Sequence, residues 1–292
     1  MKFLVPVDFT EITNPLLRVV KKLAEAHSAH VFLLHCVPPL LYIPYPESFG
    51  MSTVDLELLS QLQERKKEEA NQRLKGLARF LEPLKVELIV EVGDAGEIIL
   101  DREALADLVL LGSHKKGLIE RILVGSTTEK VLKYSRKPLF ILKGKEPEHL
   151  SKVLVGYDFS EHAQRALDFT VKLLKPFLGE LLILHVEETI EIPVVEGIKD
   201  VISQKYKEEK EKHLRKLSDS LSKEGFNVKY FILQSSSPAE GIRDFIKGME
   251  DIELVVLGSR GLSGLKRVLV GSTCAELVRS LDLSILVYKG EP

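Results

Sequence analysis

The stretch from Val255 to Ser272 reads VVLGSRGLSGLKRVLVGS, and it decides the fold. An apolar strand runs into Gly258, Gly261 follows after two intervening residues, and Gly271 follows after nine more. Glycine lets a backbone approach a ligand closely because it has no Cβ atom. A helical pattern opens after Gly271, and the first turn of a helix favours an anion through its free N–H groups and the helix dipole. The stretch therefore predicts a phosphate-binding strand–turn–helix.

Length and composition set the broad class of the protein. The chain has 292 residues, 45% of them hydrophobic, which suits two domains that each bury a core. A net charge of −2 gives no electrostatic basis for binding nucleic acid or an anionic membrane. The two cysteines form no motif, the first residues lack the apolar core of a signal peptide, and no apolar run approaches the roughly 18 residues needed to cross a bilayer. We therefore expect a soluble, cytoplasmic protein.

The chain repeats itself at long range. Residues 2–11 (KFLVPVDFTE) match residues 152–161 (KVLVGYDFSE) at an offset of 150. Residues 107–113 (DLVLLGS) match residues 253–259 (ELVVLGS) at an offset of 146. A repeat of this length indicates duplicated domains rather than a solenoid of short units.

Within each half, short apolar runs alternate with helical patterns. A run such as Phe3–Val7 is typical of a strand buried on both faces, and Thr10 fits the N-cap of a helix over residues 11–27. Strand–helix alternation predicts a parallel sheet with helices on both faces. We therefore predict two α/β domains, residues 1–145 and 150–292.

The last strand of each predicted domain would form an exposed edge of its sheet. Residues 138–142 (PLFIL) and 284–288 (SILVY) are short and apolar, and an uncovered apolar edge invites pairing. We expect these two strands to cover each other and to make an intramolecular pseudo-dimer. The sequence leaves open whether two chains also form a homodimer.

The glycine spacing, the aspartate that follows the first strand and the long repeat together resemble the universal stress protein family, specifically its tandem two-domain type. The resemblance covers nearly the whole chain. It implies two flavodoxin-like (adenine nucleotide alpha hydrolase-like) domains, each with a five-stranded parallel sheet in the order 3-2-1-4-5. In this order strands 1 and 4 are neighbours at the point where the winding reverses, which is where open α/β sheets bind ligands.

For the second half, the resemblance implies an adenine nucleotide site. The ligand is ATP or AMP, with Mg²⁺ accompanying a triphosphate, and no metal site made of protein side chains is implied. An aspartate and a backbone segment contact the adenosine, and the glycines and the following helix hold the phosphates. The implied residues are Asp158, Val186, Leu257, Gly258, Gly261, Gly271, Ser272 and Thr273.

The first half departs from the family pattern. Lys115 occupies the place of the second glycine, where a side chain crowds the backbone approach to a ligand. We expect the second domain to bind nucleotide and the first to bind it weakly or not at all. The weaker candidates in the first half are Asp8, Val37, Gly112, Gly125, Ser126 and Thr127.

Three other side chains invite chemical interpretations. His35 and His185 end equivalent strands, and each fits either a proton donor or a packed side chain. Cys274 lies at the start of the last predicted helix, where the dipole lowers a thiol pKa, so it fits either a redox role or helix packing.

The sequence favours a nucleotide-binding regulator of a stress response over an enzyme. It lacks the G-x-x-x-x-G-K-[ST] pattern of P-loop phosphotransferases, and no nucleophile has a recognisable partner. A slow ATP hydrolase that uses Asp158 as a base is the second hypothesis. An interaction module with vestigial pockets is the third.

Overall fold

The computed structural model divides the chain into two compact units. Among the described residues, unit 1 comprises those up to Leu142 and unit 2 those from Lys143 onward. Gly261 and Lys115, which the sequence singled out, lie outside the described residues. No helix within the described ranges is both long and apolar enough to cross a membrane. The described ranges are 1–40, 56–113, 125–189, 198–259 and 270–290.

Unit 1 alternates strands with helices, and its strands pair in parallel in the order β3-β2-β1-β4-β5. The strands are β1 (Lys2–Pro6), β2 (His30–Val37), β3 (Val86–Val92), β4 (Leu108–Gly112) and β5 (Leu139–Leu142). The helices are α1 (Thr13–His27), α2 (Leu56–Phe80), α3 (Ala95–Arg102) and α4 (Ser126–Tyr134), with a short 3-10 turn at Glu103–Leu105.

Unit 2 repeats this plan, and its strands pair in parallel in the order β8-β7-β6-β9-β10. The strands are β6 (Lys152–Gly156), β7 (Glu180–Glu188), β8 (Asn227–Ser235), β9 (Leu254–Gly258) and β10 (Ser284–Tyr288). The helices are α5 (Glu161–Leu174), α6 (Ile198–Lys223), α7 (Pro238–Lys247) and α8 (Ser272–Ser280).

The parallel strand pairing within each unit confirms the predicted α/β fold. In each unit the first strand lies between the second and the fourth, so the order within the unit is 3-2-1-4-5. The central strands are buried on both faces, as their continuous apolar runs predict; Leu154, for example, is fully buried. Right-handed crossovers then put the first two helices of a unit on one face and the last two on the other. The reversal at the first strand leaves a crevice beyond the strands' carboxyl ends.

The start of α1 differs from the sequence prediction. The residue before the helix is Ile12, which makes no side-chain capping bond, and Thr10 lies further upstream. The hydroxyl of Thr10 donates instead to Oδ1 of Asp8 over 2.6 Å. The prediction of Thr10 as the N-cap was therefore wrong, because α1 begins at Thr13 rather than at residue 11. In unit 2 the matching Ser160 does cap α5, accepting from the N–H of Ala163.

Candidate functional site

A cavity of about 200 Å³ lies in unit 2 where β6, β7 and β9 end and α8 begins. It is the crevice that the strand order creates. The predicted Gly261 lies outside the described residues. The other predicted residues of the second half all line the cavity: Asp158, Val186, Leu257, Gly258, Gly271, Ser272 and Thr273.

Asp158 is held in a tight turn directly after β6. The N–H of Ser160 donates to Oδ1 of Asp158 over 3.0 Å, and Phe159 between them has a φ of 63°. A positive φ is uncommon outside glycine, so the surrounding contacts must stabilise this turn. Among the described residues, no donor contacts Oδ2 of Asp158. This oxygen is therefore available to a ligand.

The first turn of α8 offers N–H groups to the same cavity. Gly271 is the N-cap; its own N–H donates to the carbonyl of Ser259 over 2.7 Å, and no side chain caps the helix. The first turn of α8 also carries no acidic residue. Because uncapped N–H groups and the helix dipole both favour negative charge, Ser272 and Thr273 lie where a phosphate group would be stabilised.

His185 lines the cavity as a neutral, packed side chain. Its Nδ1 lies 2.9 Å from the carbonyl oxygen of Tyr157, and burial lowers the pKa of the imidazole. A neutral ring next to a carbonyl carries its proton on Nδ1, so Nδ1 is the donor. His35 repeats this contact with the carbonyl of Val7 over 2.8 Å, and burial lowers its pKa too. For both histidines the geometry favours the packed interpretation over the proton donor.

A second cavity, of about 230 Å³, occupies the matching place in unit 1. Val37 does not line it, since its side chain is buried and its carbonyl accepts from the N–H of Gly93 over 3.0 Å. Cys36 lines the cavity instead, 150 positions before Val186. The offset of 150 aligns Cys36 with Val186, whereas the predicted Val37 lies one residue further along the chain. The other weaker candidates all line the cavity: Asp8, Gly112, Gly125, Ser126 and Thr127.

Three features of unit 1 bear on whether its cavity can hold a nucleotide. Oδ1 of Asp8 accepts from both the N–H and the hydroxyl of Thr10. Ile12 packs against Gly112 so closely that a Cβ atom on this glycine would lie 2.7 Å from Cγ2 of Ile12. The first turn of α4 carries Glu129, whereas that of α8 carries no acid. Ile12 thus limits the approach of a ligand to Gly112, and the start of α4 favours an anion less than the start of α8 does.

Neither cysteine has an activated thiol. Cys274 is buried, and burial raises its pKa to about 12. Burial, helped by Glu91 and Asp94, also raises the pKa of Cys36 to about 12. The thiolate is the reactive form, so both groups are inert at neutral pH. Burial outweighs the helix dipole at Cys274, and the packing interpretation of this residue holds.

Comparison with known proteins identifies related chains. The profile described as the universal stress protein family matches residues 1–143 and 149–289. A universal stress protein of Mycolicibacterium smegmatis is 24% identical over 293 residues, covering 98% of this chain and 96% of the relative. One of Methanocaldococcus jannaschii is 31% identical over 155 residues, covering 49% of this chain and 95% of the relative. The crystal structure of a universal stress protein from Archaeoglobus fulgidus has a TM-score of 0.73 at 23% identity, covering 99% of this chain and 98% of that one, which shows a shared fold.

Proposed function

Because this chain belongs to the universal stress protein family, we propose that its unit 2 binds ATP or a related adenine nucleotide and that the protein acts as a nucleotide-dependent regulator of a stress response. The observation that carries the proposal is the unit 2 cavity, which Asp158, Val186 and the first turn of α8 line together. A carboxylate acceptor and an uncapped helix terminus suit the two ends of a nucleotide, its ribose hydroxyls and its phosphates.

The proposal gives each group a task. Oδ2 of Asp158 accepts from a ribose hydroxyl, because Oδ1 is already bonded to the N–H of Ser160. The backbone of Val186 contacts the adenine, and the N–H groups at Ser272 and Thr273 bind phosphate oxygens. Mg²⁺ enters with a triphosphate, whose oxygens are the hard ligands that this ion prefers.

The proposal assigns the nucleotide to unit 2 rather than to unit 1. The carboxylate of Asp8 accepts two bonds from Thr10, and Ile12 covers Gly112. The contact of Ile12 with Gly112 limits the approach of a nucleotide to this glycine, so we expect a lower affinity in unit 1.

A slow ATP hydrolase is the alternative, and it also depends on Asp158. This side chain is the carboxylate of the unit 2 cavity, so it is the group placed to act as a general base. Phosphate release by the purified protein separates the two functions. Turnover that disappears in Asp158→Ala would favour the hydrolase, whereas binding without turnover supports the regulator.

The first experiment identifies the ligand directly. The purified protein is denatured, and any released small molecule is identified and quantified by mass spectrometry. We expect about one adenine nucleotide per chain, and none from a Gly261→Lys variant, which copies Lys115 of the first half into the second. About two per chain would contradict the assignment to unit 2. No nucleotide, and no binding on titration with ATP, would favour the interaction module with vestigial pockets.

The pairing of the two domains within one chain remains part of the proposal, on the sequence argument that each ends in a short apolar strand. Residues 1–145 and 150–292 are expressed separately and their masses measured by light scattering; well-behaved monomers would contradict the pairing. The mass of the full chain then tests for a homodimer. The absence of a cysteine motif in the sequence supports action in the reducing cytoplasm.

A further inference from the structure

The backbone ladder between β6 and β7 stops just before Asp158. The N–H of Tyr157 donates to the carbonyl of Leu184 over 2.8 Å. In a regular parallel ladder the N–H of Val186 would then donate to the carbonyl of Tyr157. No such bond forms, and Nδ1 of His185 lies 2.9 Å from this carbonyl instead. A bond from the side chain of His185 thus replaces the last backbone hydrogen bond between β6 and β7.

This replacement has two consequences for the cavity. The carbonyl of Tyr157 belongs to the peptide group that joins Tyr157 to Asp158, so holding it fixes the direction in which the chain enters the aspartate turn. The N–H of Val186, which would otherwise donate to this carbonyl, does not do so, which leaves this N–H for a ligand. Asp158 and Val186 both line the cavity.

The environment of Nε2 indicates that packing alone does not favour a histidine at position 185. His185 is 7% exposed, and its Nε2 is buried with no hydrogen-bond partner among the residues that the structure describes. An unpartnered buried acceptor is unfavourable, and a leucine of similar size would avoid it. The benefit of the imidazole must therefore come from the bond made by Nδ1.

We propose that His185 is a positioning residue of the nucleotide site: its Nδ1–H fixes the carbonyl of Tyr157, so that Asp158 and the N–H of Val186 are both presented to the ligand. The inference rests on the proposed function, which supplies the ligand. It extends that function to a side chain that acts through the backbone of its neighbours.

The competing role is packing alone. The ring of Phe159 meets that of His185 edge to face, with centroids 4.7 Å apart, so His185 also supports the aromatic side of the turn. Leucine preserves an apolar contact with this ring but has no donor. Asparagine loses the ring, but its Nδ2 can donate from the place of Nδ1. The two substitutions therefore separate the hydrogen bond from the packing.

The affinity for ATP is measured by equilibrium dialysis for the full chain and for His185→Leu and His185→Asn. We expect His185→Leu to raise Kd about tenfold, the effect of one hydrogen bond, and His185→Asn to stay within about threefold of the wild type. His35→Leu is the matched control, because it removes the same bond from unit 1, and we expect it to leave Kd unchanged. If asparagine weakens binding as much as leucine, packing explains the effect and the inference is wrong.

A double variant tests whether His185 acts through its neighbours. In an Asp158→Ala background, His185→Leu should weaken binding by clearly less than in the wild type, because part of what it positions has been removed. Fully additive effects would contradict the positioning role.

Amide hydrogen exchange tests the inference without any nucleotide. The N–H of Ser160 donates to Oδ1 of Asp158, so its protection reports on the turn. We expect His185→Leu to speed its exchange about tenfold relative to the core amide of Leu154. We expect His185→Asn to restore the protection. If the wild type binds no ATP but shows this exchange pattern, the proposed function fails and the positioning stands; unchanged exchange in His185→Leu overturns the positioning itself.

Discussion

The hydroxyl of Thr10 lies 2.6 Å from Oδ1 of Asp8, whereas the matching hydroxyl of Ser160 accepts from the N–H of Ala163. Two nearly identical sequences, DFT and DFS, thus use their hydroxyl groups differently. In unit 1 the hydroxyl of Thr10 donates to Oδ1 of the aspartate. In unit 2 the matching hydroxyl caps a helix, and within the described ranges the carboxylate of the aspartate accepts from the backbone N–H of residue 160 alone.

This difference predicts unequal effects for the two aspartates. We expect Asp158→Ala to weaken ATP binding at least about tenfold, because a charged acceptor is lost, and Asp8→Ala to leave affinity and stoichiometry unchanged. Isothermal titration calorimetry on the two variants measures both quantities. If Asp8→Ala halves the number of sites, unit 1 binds nucleotide and the assignment to unit 2 alone is wrong.

The capping difference predicts unequal effects on stability. Ser160→Ala removes the N-cap of α5 and should lower the free energy of unfolding of unit 2 by about 1 kcal/mol. Ser160→Asn should retain most of the stability that the cap provides, because asparagine also caps well. Thr10→Ala removes no cap, since α1 makes none with a side chain, and should cost less. Urea denaturation followed by circular dichroism gives these values, and equal losses at both positions would contradict the capping account.

Buried histidines predict a loss of stability in mild acid. Burial lowers the pKa of both His35 and His185 below the ordinary value of 6.5. Between the lowered folded value and 6.5, the unfolded chain binds more protons than the folded one, so the stability rises with pH across this window. The contribution is therefore complete above 6.5 and is lost as the pH falls below it.

Urea midpoints between pH 5.5 and 7.5 measure this effect. His35→Asn and His185→Asn should each flatten the profile, because asparagine does not titrate. Carboxylates of ordinary or lowered pKa change protonation only below this range, so they do not imitate the effect. A flat wild-type profile would show that both imidazoles accept protons freely in the folded state.

The sequence predicted the fold and most of the cavity lining because these depend on patterns of whole segments. Continuous apolar runs identify buried strands, and the 150-residue offset aligns Asp8 with Asp158. Single contacts were not predictable in this way. Thr10 was expected to cap α1, but the turn after Asp8 places the start of the helix at Thr13, and the hydroxyl of Thr10 donates to the carboxylate two residues away. Val37 was a candidate, although the offset of 150 aligns Cys36 with Val186, and Cys36 lines the cavity.

The role of His185 could not be predicted from the sequence, for a different reason. A histidine at a strand end is compatible with a proton donor, a metal ligand or a packed ring, and the sequence does not show which carbonyl it meets. Only the structure shows that the carbonyl of Tyr157 accepts no bond from the N–H of Val186. This carbonyl is the partner of the imidazole.

A glycine on α7 provides an independent test of Val186. A Cβ atom on Gly241 would lie 2.6 Å from Cγ1 of Val186, so Gly241→Ala must displace this valine or the helix. Overpacking of this kind costs about 1–3 kcal/mol, partly offset by the better helix propensity of alanine. We expect Gly241→Ala to weaken ATP binding several-fold, because Val186 lines the cavity although Gly241 itself does not.

Gly76→Ala is the control for this prediction, since Gly76 lies in α2 and a Cβ atom there meets nothing within 4 Å. The same substitution in open space should stabilise unit 1 by about 0.5–1 kcal/mol through helix propensity and should leave the affinity of unit 2 unchanged. Calorimetric titration and urea denaturation of both variants separate binding from stability. If Gly241→Ala loses stability but binds ATP with the wild-type Kd, the side chain of Val186 has no part in placing the ligand, and only its backbone can contribute.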